Sequence, residues 1–398
     1  MSEWATYTIS EACKRFSSGK GIAASQIFEI GAYPVFGGNG IRGYTDTYNF
    51  EGECAIIGRQ GAYCGNTKYF CGKAYMTEHA IVATANDEHN IGYIANLLSM
   101  MNLGQYQGQS AQPGLSVNTL SNIELKLPDK ETQDSIFSLL SALDKKIALN
   151  KQINARLEEM AKTLYDYWFV QFDFPDANGK PYKSSGGEMV FDETLKREIP
   201  KGWEVKSLGE VISLERGVTY SKDSICNDEN GTGVLRATNI SGNNIDLNDL
   251  IYISGEIDTQ QKLKPFDILI VMSSGSKEHI GKNGVYYFEQ DNAFGAFCSK
   301  ITPQKVFFEF VSIFLQSNNF RNYVKNQCLG TNINNLNNSH ILHCPIVRPN
   351  DEYIEAFHRQ TKLIYEKISC NVKQNYHLTQ LRDFLLPMLM NGQVSVAE

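Results

Sequence analysis

Gly38, Gly40 and Gly43 form a G-x-G-x-x-G run, the spacing that cradles a pyrophosphate where a strand turns into a helix. Here the run lies among tyrosine and proline residues and not between a strand and a helix, so no dinucleotide site is expected. His340, His343 and Cys344 are metal-ligand types at close spacing, but no second cluster stands near them in sequence; a structural role and no metal are expected. Pro175 and Asp176 could open a nuclease centre of the P-D…[DE]-x-K kind, yet Ala177, Asn178, Gly179 and Lys180 follow without the second acid. There is no G-x-x-x-x-G-K-[ST] phosphate loop. There is also no N-P-P-[FY] or D-P-P-Y run of the sort an adenine methyltransferase uses on its target amino group. A chain that is not an enzyme and carries no cofactor is therefore expected. What remains are polar side chains in glycine-flanked loops, and their meaning depends on the elements that hold them.

Those elements come in two copies. Positions spaced alternately four and three read Ile136, Leu140, Leu143, Ile147, Asn150, Asn154, Leu157, Ala161, Leu164, Trp168. The same spacing, 221 residues later, reads Phe357, Thr361, Ile364, Ile368, Asn371, Asn375, Leu378, Arg382, Leu385, Leu389. Both are heptad seams with a pair of asparagines in the middle, which points to one unit, head plus long helix, present twice. Gly114, Val117, Asn118, Leu120 and Asn122 match Gly330, Ile333, Asn334, Leu336 and Asn338 at an offset of 216, which implies five residues added ahead of the second helix.

Composition sets limits on this picture. With 42% hydrophobic residues the chain can bury real cores, and 398 residues suggest several domains. A net charge of −7 argues against binding nucleic acid through bulk positive charge, though not against a local basic surface. Nine cysteines without CxxC or framework spacing suggest free buried thiols in a reducing cytosol. Met1–Ser10 lacks the pattern of a secretory signal, and no apolar run approaches membrane-spanning length. A cytoplasmic protein is expected.

The fold class expected is α+β: two globular α/β heads separated by two long helices packed as an antiparallel coiled coil, with a pseudo-twofold internal repeat. The divisions expected are a head over 1–127, a helix over 128–170, a linker over 171–202, a second head over 203–347 and a second helix over 348–398. Pro128 and Pro349 are placed at the helix starts, Pro387 should kink or end the second helix, and Gly392 closes it. A helix of roughly 40 residues ends about 60 Å from its start, and the shortest return path is antiparallel. Centring on the asparagines sets Asn150 against Asn375 and Asn154 against Asn371. It then sets Ile147 against Leu378, Leu157 against Ile368, Leu140 against Leu385 and Trp168 against Phe357. Leu143 with Arg382 and Leu164 with Thr361 are mixed pairs.

The segment between the copies carries a family resemblance. Tyr165, Tyr167, Trp168, Phe169 and Val170 lead into Phe172–Pro175, then Gly179–Gly187, then Lys196–Trp203 (K-R-E-I-P-K-G-W). This resembles the central conserved region of the specificity subunits of type I restriction–modification enzymes. Leu385, Leu386, Pro387, Met388 and Leu389, with Gly392 after them, are similar to that family's ending. The resemblance implies a non-catalytic subunit with two target-recognition domains, each reading one half of a bipartite target in double-stranded DNA, and a helix pair that sets the unread spacer. It also implies two methyltransferase (modification) subunits docked along the helices, which extract and methylate adenines with their own S-adenosylmethionine, and restriction subunits joining them.

On that reading, DNA contacts fall to the glycine-flanked loops. In the first head these are Arg59 and Gln60 after the strand Ala55–Ile57, and Asn39 and Arg42 in the loop Gly37–Gly43. In the second they are Ser274 and Lys277 after Ile268–Met272, with Arg216, Tyr220, Lys222 and Arg236 for phosphate or base contact. Arg, Gln, Ser and Lys suit the edges of bases in the major groove. Two other classes compete: a coiled-coil tether carrying two protein-binding heads, and a stand-alone DNA-modifying enzyme.

Overall fold

The computed structural model describes residues 4–61, 63–108, 114–227, 230–276, 278–327 and 334–396. They form two compact units, residues 1–148 with 377–398, and residues 149–376.

In the first unit Thr8 ends the strand Ala5–Thr8 and caps a short helix: its hydroxyl accepts from the Glu11 amide while Glu11 accepts from the Thr8 amide. A six-stranded sheet follows, in the order Cys13–Ser18, Ala80–Ala85, Phe50–Gly58, Thr67–Met76, Tyr33–Gly37, Gly40–Thr45. Phe50–Gly58 has partners on both sides, so Cys54–Gly58 are all buried, an unbroken apolar run where an edge strand would alternate. The helix Ile91–Met100, capped by Asn90, covers one face. Ile57, Ile81, Tyr93, Leu98 and Leu120 form the core with Ile136 and Leu140 of the first long helix and Leu389 of the second.

The first long helix spans Lys130–Tyr165, and a π turn carries it on to Val170. Asp129 opens it, its carboxylate accepting from the Thr132 amide at 2.9 Å. Pro128 therefore stands ahead of the cap and not in the first turn. Its carbonyl is held by the fully buried Gln133 at 2.8 Å. Pro349 likewise precedes Asp351, where the second long helix begins. That helix runs to Met390 with Pro387 inside it, so the proline does not end the helix. Only about one turn is left beyond the proline, and Asp383, whose carbonyl loses its donor, is exposed to water. Gly392, at φ +74°, then closes the helix; Gln393 donates to Met388 and Gly392 to Leu389, the paired bonds of a Schellman cap.

The second unit repeats the plan. Ser207 and Glu210 rebuild the capping box of Thr8 and Glu11, and Glu204–Ser207 pairs with Pro345–Arg348 as Ala5–Thr8 pairs with Glu124–Leu127. Its main sheet begins in the same way, Ile212–Arg216, Cys298–Pro303, Ile268–Val271, Asn283–Val285. Phe308–Gln316 stands where Ile91–Met100 stands in the first unit. A further four-stranded sheet of short strands, which includes Thr232–Leu235, has no counterpart among the described residues of the first unit.

Residues 171–202 are more than a connection. They hold the hairpin Met189–Asp192 with Arg197–Pro200. They also supply Phe172 and Phe174 to an aromatic cluster with Trp168, Phe169, Trp203, Phe310 and Phe357. Trp203 stacks on Phe174 with centroids 4.6 Å apart. The Asp173 carboxylate accepts from both the hydroxyl and the amide of Ser184, which holds its pKa below the usual carboxylate range. All eight cysteines among the described residues are free, but Cys71 and Cys370 are exposed, so burial does not account for every thiol. Burial pushes the thiols of Cys13, Cys54, Cys298 and Cys344 up to about 12. No helix among the described residues is long and apolar enough to cross a membrane.

Candidate nucleic-acid interface

The two units build one backbone frame at the carboxyl end of their central strands. In the first, Gly58 donates to Asn66 and accepts from Gly65 at 2.9 and 2.8 Å; Arg59 donates to His79 at 2.9 Å and accepts from Leu115 at 2.9 Å. In the second, Val271 donates to Lys282 and accepts from Gly281 at 2.9 and 3.0 Å; Met272 donates to Phe297 at 2.9 Å and accepts from Leu336 at 2.8 Å. Gln60 bridges Gly114 as Ser273 pairs with Asn335. Arg59 is thus equivalent to Met272, Gln60 to Ser273, His79 to Phe297, and Ser18 to Arg216 at the ends of the neighbouring strands.

These bonds correct the sequence alignment. Leu115 corresponds to Leu336 and Leu120 to Ile341, an offset of 221 that continues unchanged into the long helices. The offset of 216, with five residues added before the second helix, is a chance match of glycine, asparagine and aliphatic residues. Gly330 and Ile333, on which it partly rested, lie outside the described residues.

The candidate side chains divide into two groups. Arg59 is turned inward: its Nε donates to the Leu115 carbonyl at 3.1 Å and its Nη1 to the Ser18 hydroxyl at 3.4 Å. Arg236 donates to the Asp249 carbonyl at 2.7 Å and its carboxylate at 2.9 Å. The fold uses both guanidiniums to fasten loops. Asn39 and Arg42 are exposed on the hairpin of Tyr33–Gly37 with Gly40–Thr45, which is where the G-x-G-x-x-G run lies. Gln60 and Ser274 are half-buried, and the Ser274 hydroxyl accepts from the Ser276 amide at 3.2 Å. Arg216 and Lys222 are exposed; Tyr220 is half-buried in a shallow cleft of about 230 Å³. Lys277 lies outside the described residues.

The hairpin tip and the Gly58 loop touch backbone to backbone. A Cβ on Gly58 would sit 2.2 Å from the Gly38 carbonyl oxygen, and one on Gly38 2.5 Å from that of Gln60, so only glycine fits at either place. Between the loops lies a cleft of about 320 Å³ with Asn39, Tyr63, Asn66 and Lys68 at its edge. Sequence reasoning missed the last three, and it missed Ser18, His79, Phe297 and Asn335. The signal that would have aligned the heads is short: Trp4, Thr8, Ile9 and Glu11 against Trp203, Ser207, Leu208 and Glu210.

The metal-ligand types near the second helix have structural explanations. His340 completes a capping box with Asn337, the His343 ring nitrogen lies 2.8 Å from the Ser339 carbonyl, and Cys344 is buried in the core.

Each unit holds its own contacts between stretches of the two long helices. In the second unit Asn150 donates to Asn375 at 2.9 Å and to Gln374 at 2.8 Å, and Asn371 donates to Asn154 at 2.8 Å. Leu157, Ile368, Trp168 and Phe357 join one core cluster there, the last two with centroids 5.9 Å apart. Thr361, opposite Leu164 in the register, is fully buried, its hydroxyl donating to the Phe357 carbonyl at 2.8 Å. In the first unit Leu140 and Leu385 share a cluster, and Arg382 donates to Asp144 at 2.9 Å. Ile147 is buried and Leu378 half-buried. At the root of the second long helix His358 meets the buried Glu309 at 2.7 Å; burial pushes that carboxyl above its ordinary range, and His358 pulls against the shift.

Residues 1–159 and 200–371 match the family described as "Type I restriction modification DNA specificity domain". The chain is 43% identical over 134 residues to the type I restriction enzyme EcoprrI specificity subunit of Escherichia coli, a match that spans only 33% of each chain. It is 28% identical over 313 residues to the MjaIX specificity subunit of Methanocaldococcus jannaschii, spanning 77% of this chain and 69% of the relative. In fold it is similar to a type I restriction–modification S subunit from M. genitalium, with a TM-score of 0.61 over 98% of this chain and 96% of the other at 17% identity.

Proposed function

Because the chain belongs to the family of type I restriction–modification DNA specificity domains, we propose that it is the DNA-recognition subunit of such a complex in the cytoplasm. Each unit presents one recognition domain to one half of a bipartite duplex target. The two long helices pair antiparallel as a coiled coil and set the spacer between the halves. Two methyltransferase subunits dock along the helices, restriction subunits join them, and the methyltransferase subunits supply the S-adenosylmethionine chemistry. The observation that carries this reading is one hydrogen-bonded loop frame built twice with unlike side chains on it: Arg59, Gln60 and His79 in one unit, Met272, Ser273 and Phe297 in the other. Two scaffolds alike in backbone and unlike in surface suit two different half-sites. The Asn150–Asn375 and Asn154–Asn371 bonds, with Arg382 on Asp144, support the antiparallel register.

Within each domain Asn39, Arg42 and Gln60, and Arg216, Tyr220, Lys222 and Ser274, face DNA, with Lys277 on the same loop as Ser274. Phosphate contacts position the domain and the loop side chains discriminate bases. The test is the methylated motif of cells that carry the chain with its partner subunits, before and after residues 1–127 are replaced by another family member's domain. One half-site should change while the other half and the spacer stay. A change in both halves together would overturn the assignment of one domain to one half-site.

A further inference from the structure

Phe297 is 70% exposed, although hydrogen bonds tie down the backbone around it. Its carbonyl accepts from the amides of both Met272 and Ser273, at 2.9 and 3.2 Å. The turn around it closes through Cys298 donating to Gly295, and Ala296 donates to Val218, each at 2.9 Å. Beneath the turn, a Cβ on Gly217 would lie 2.3 Å from the Gly295 carbonyl oxygen, so the neighbouring strand end comes as close as a backbone can. The first unit has the same tight approach, with Gly19 against Met76 at 2.1 Å, and there the equivalent residue is His79. The turn thus presents a large apolar ring to solvent at the loop edge that also carries the exposed Arg216 and the half-buried Ser273 and Ser274.

We propose that Phe297 is a specificity-determining residue of the second unit, its ring packing on the C5-methyl group of a thymine in the major groove of that unit's half-site. This rests on the reading that the loop edge faces DNA. Every base edge in the major groove offers hydrogen-bonding groups, and the thymine methyl is its one apolar feature. A phenyl ring has no donor or acceptor to offer those groups, so the methyl is what it can select. The equivalent His79, its side chain 38% exposed and 3.2 Å from Glu78, presents a polar ring from the same backbone position. One structural position thus holds an apolar reader in one unit and a polar one in the other, as unlike half-sites require.

The test uses the assembled complex with its methyltransferase subunits. Duplexes carrying the methylated motif are made with deoxyuridine in place of each thymine in turn, which removes only the methyl group. Binding is measured for the wild type, F297A and F297L. At one thymine of the second half-site, removing the methyl should weaken wild-type binding about fourfold, the worth of one buried carbon. F297A should bind more weakly and be indifferent to that substitution, and every position in the first half-site should behave as in wild type. Thermal unfolding guards against misfolding, because truncating an exposed ring should leave the melting point unchanged. The proposal is overturned if the second half-site contains no thymine, or if its methyl dependence survives F297A. If the wild-type complex shows no bipartite motif at all, the recognition reading itself fails and Phe297 falls with it; a normal motif that F297A binds as tightly as the wild type does removes Phe297 alone.

Discussion

At the scale of single residues, charge and loop position do not show which side chains are free to meet a ligand; the direction of the side chain does. Arg59 and Arg216 look alike in sequence, each at the end of a strand in a polar loop. The first has its guanidinium on the Leu115 carbonyl and the Ser18 hydroxyl, whereas the second is exposed. Replacing Arg59 by Ala should lower the stability of its unit by about 1 kcal/mol, the net worth of a hydrogen bond lost with its acceptor partly buried. Replacing Arg216 by Ala should leave stability within about 0.5 kcal/mol. If Arg216 meets a phosphate, its loss should also weaken DNA binding across sequences and lower the salt slope by about one. Thermal denaturation and a salt titration of the complex separate the two. Equal effects of both changes on stability, with no change in slope, would place Arg216 away from DNA.

At the scale of elements, the helix seam combines polar and apolar contacts deliberately. Asn154 and Asn371 are both buried; Asn371 donates to Asn154 at 2.8 Å, and Asn154 donates to the Ile368 carbonyl at 3.5 Å. Asn154→Ala should cost about 1–3 kcal/mol, because it leaves Asn371 buried with its donor unmet. Leucine at both positions should recover most of that loss or exceed it, while weakening the preference for a single register. Chemical denaturation of the two variants gives the energies. A double variant no more stable than the single one would mean that the pair does not act as a unit. The long helices were legible in sequence because a period of 3.5 repeated over ten positions is hard to produce by accident. The helix ends were less so: Asp129 and not Pro128 opens the first helix, and Pro387 sits so near the end of the second that its missing donor costs little. The heads were the least legible part. Most strands of the second head are short, and the frame that makes His79 equivalent to Phe297 is written in backbone hydrogen bonds that leave no side-chain pattern. The inward turn of Arg59 and Arg236 likewise depends on carbonyls distant in sequence or set by the loop's path.

At the scale of the whole molecule, the duplication leaves both chain termini in one unit. Residues 1–148 and 377–398 cluster together, and Trp4 packs so close to Gly392 that a Cβ there would lie 2.9 Å from the indole. The first unit is thus assembled from the two ends of the chain, and the second lies wholly between them. Joining the termini with a short flexible linker and opening the chain between Asn178 and Gly179 should yield a permuted protein that folds. That turn is a fit place to cut, because Gly179 takes φ +75° with open space around its α-carbon. The cost should be confined to the small loop in which Asp176 accepts from the amides of Asn178 and Lys180, each at 2.8 Å. The permuted chain should melt within a few degrees of the natural one and, assembled with the same partner subunits, should direct methylation to the same motif with the same spacer. An altered spacer with unchanged half-sites would show that residues 171–202, and not the helix pair alone, set the separation. Loss of one half-site alone would show that the unit holding it needs the natural chain order to form.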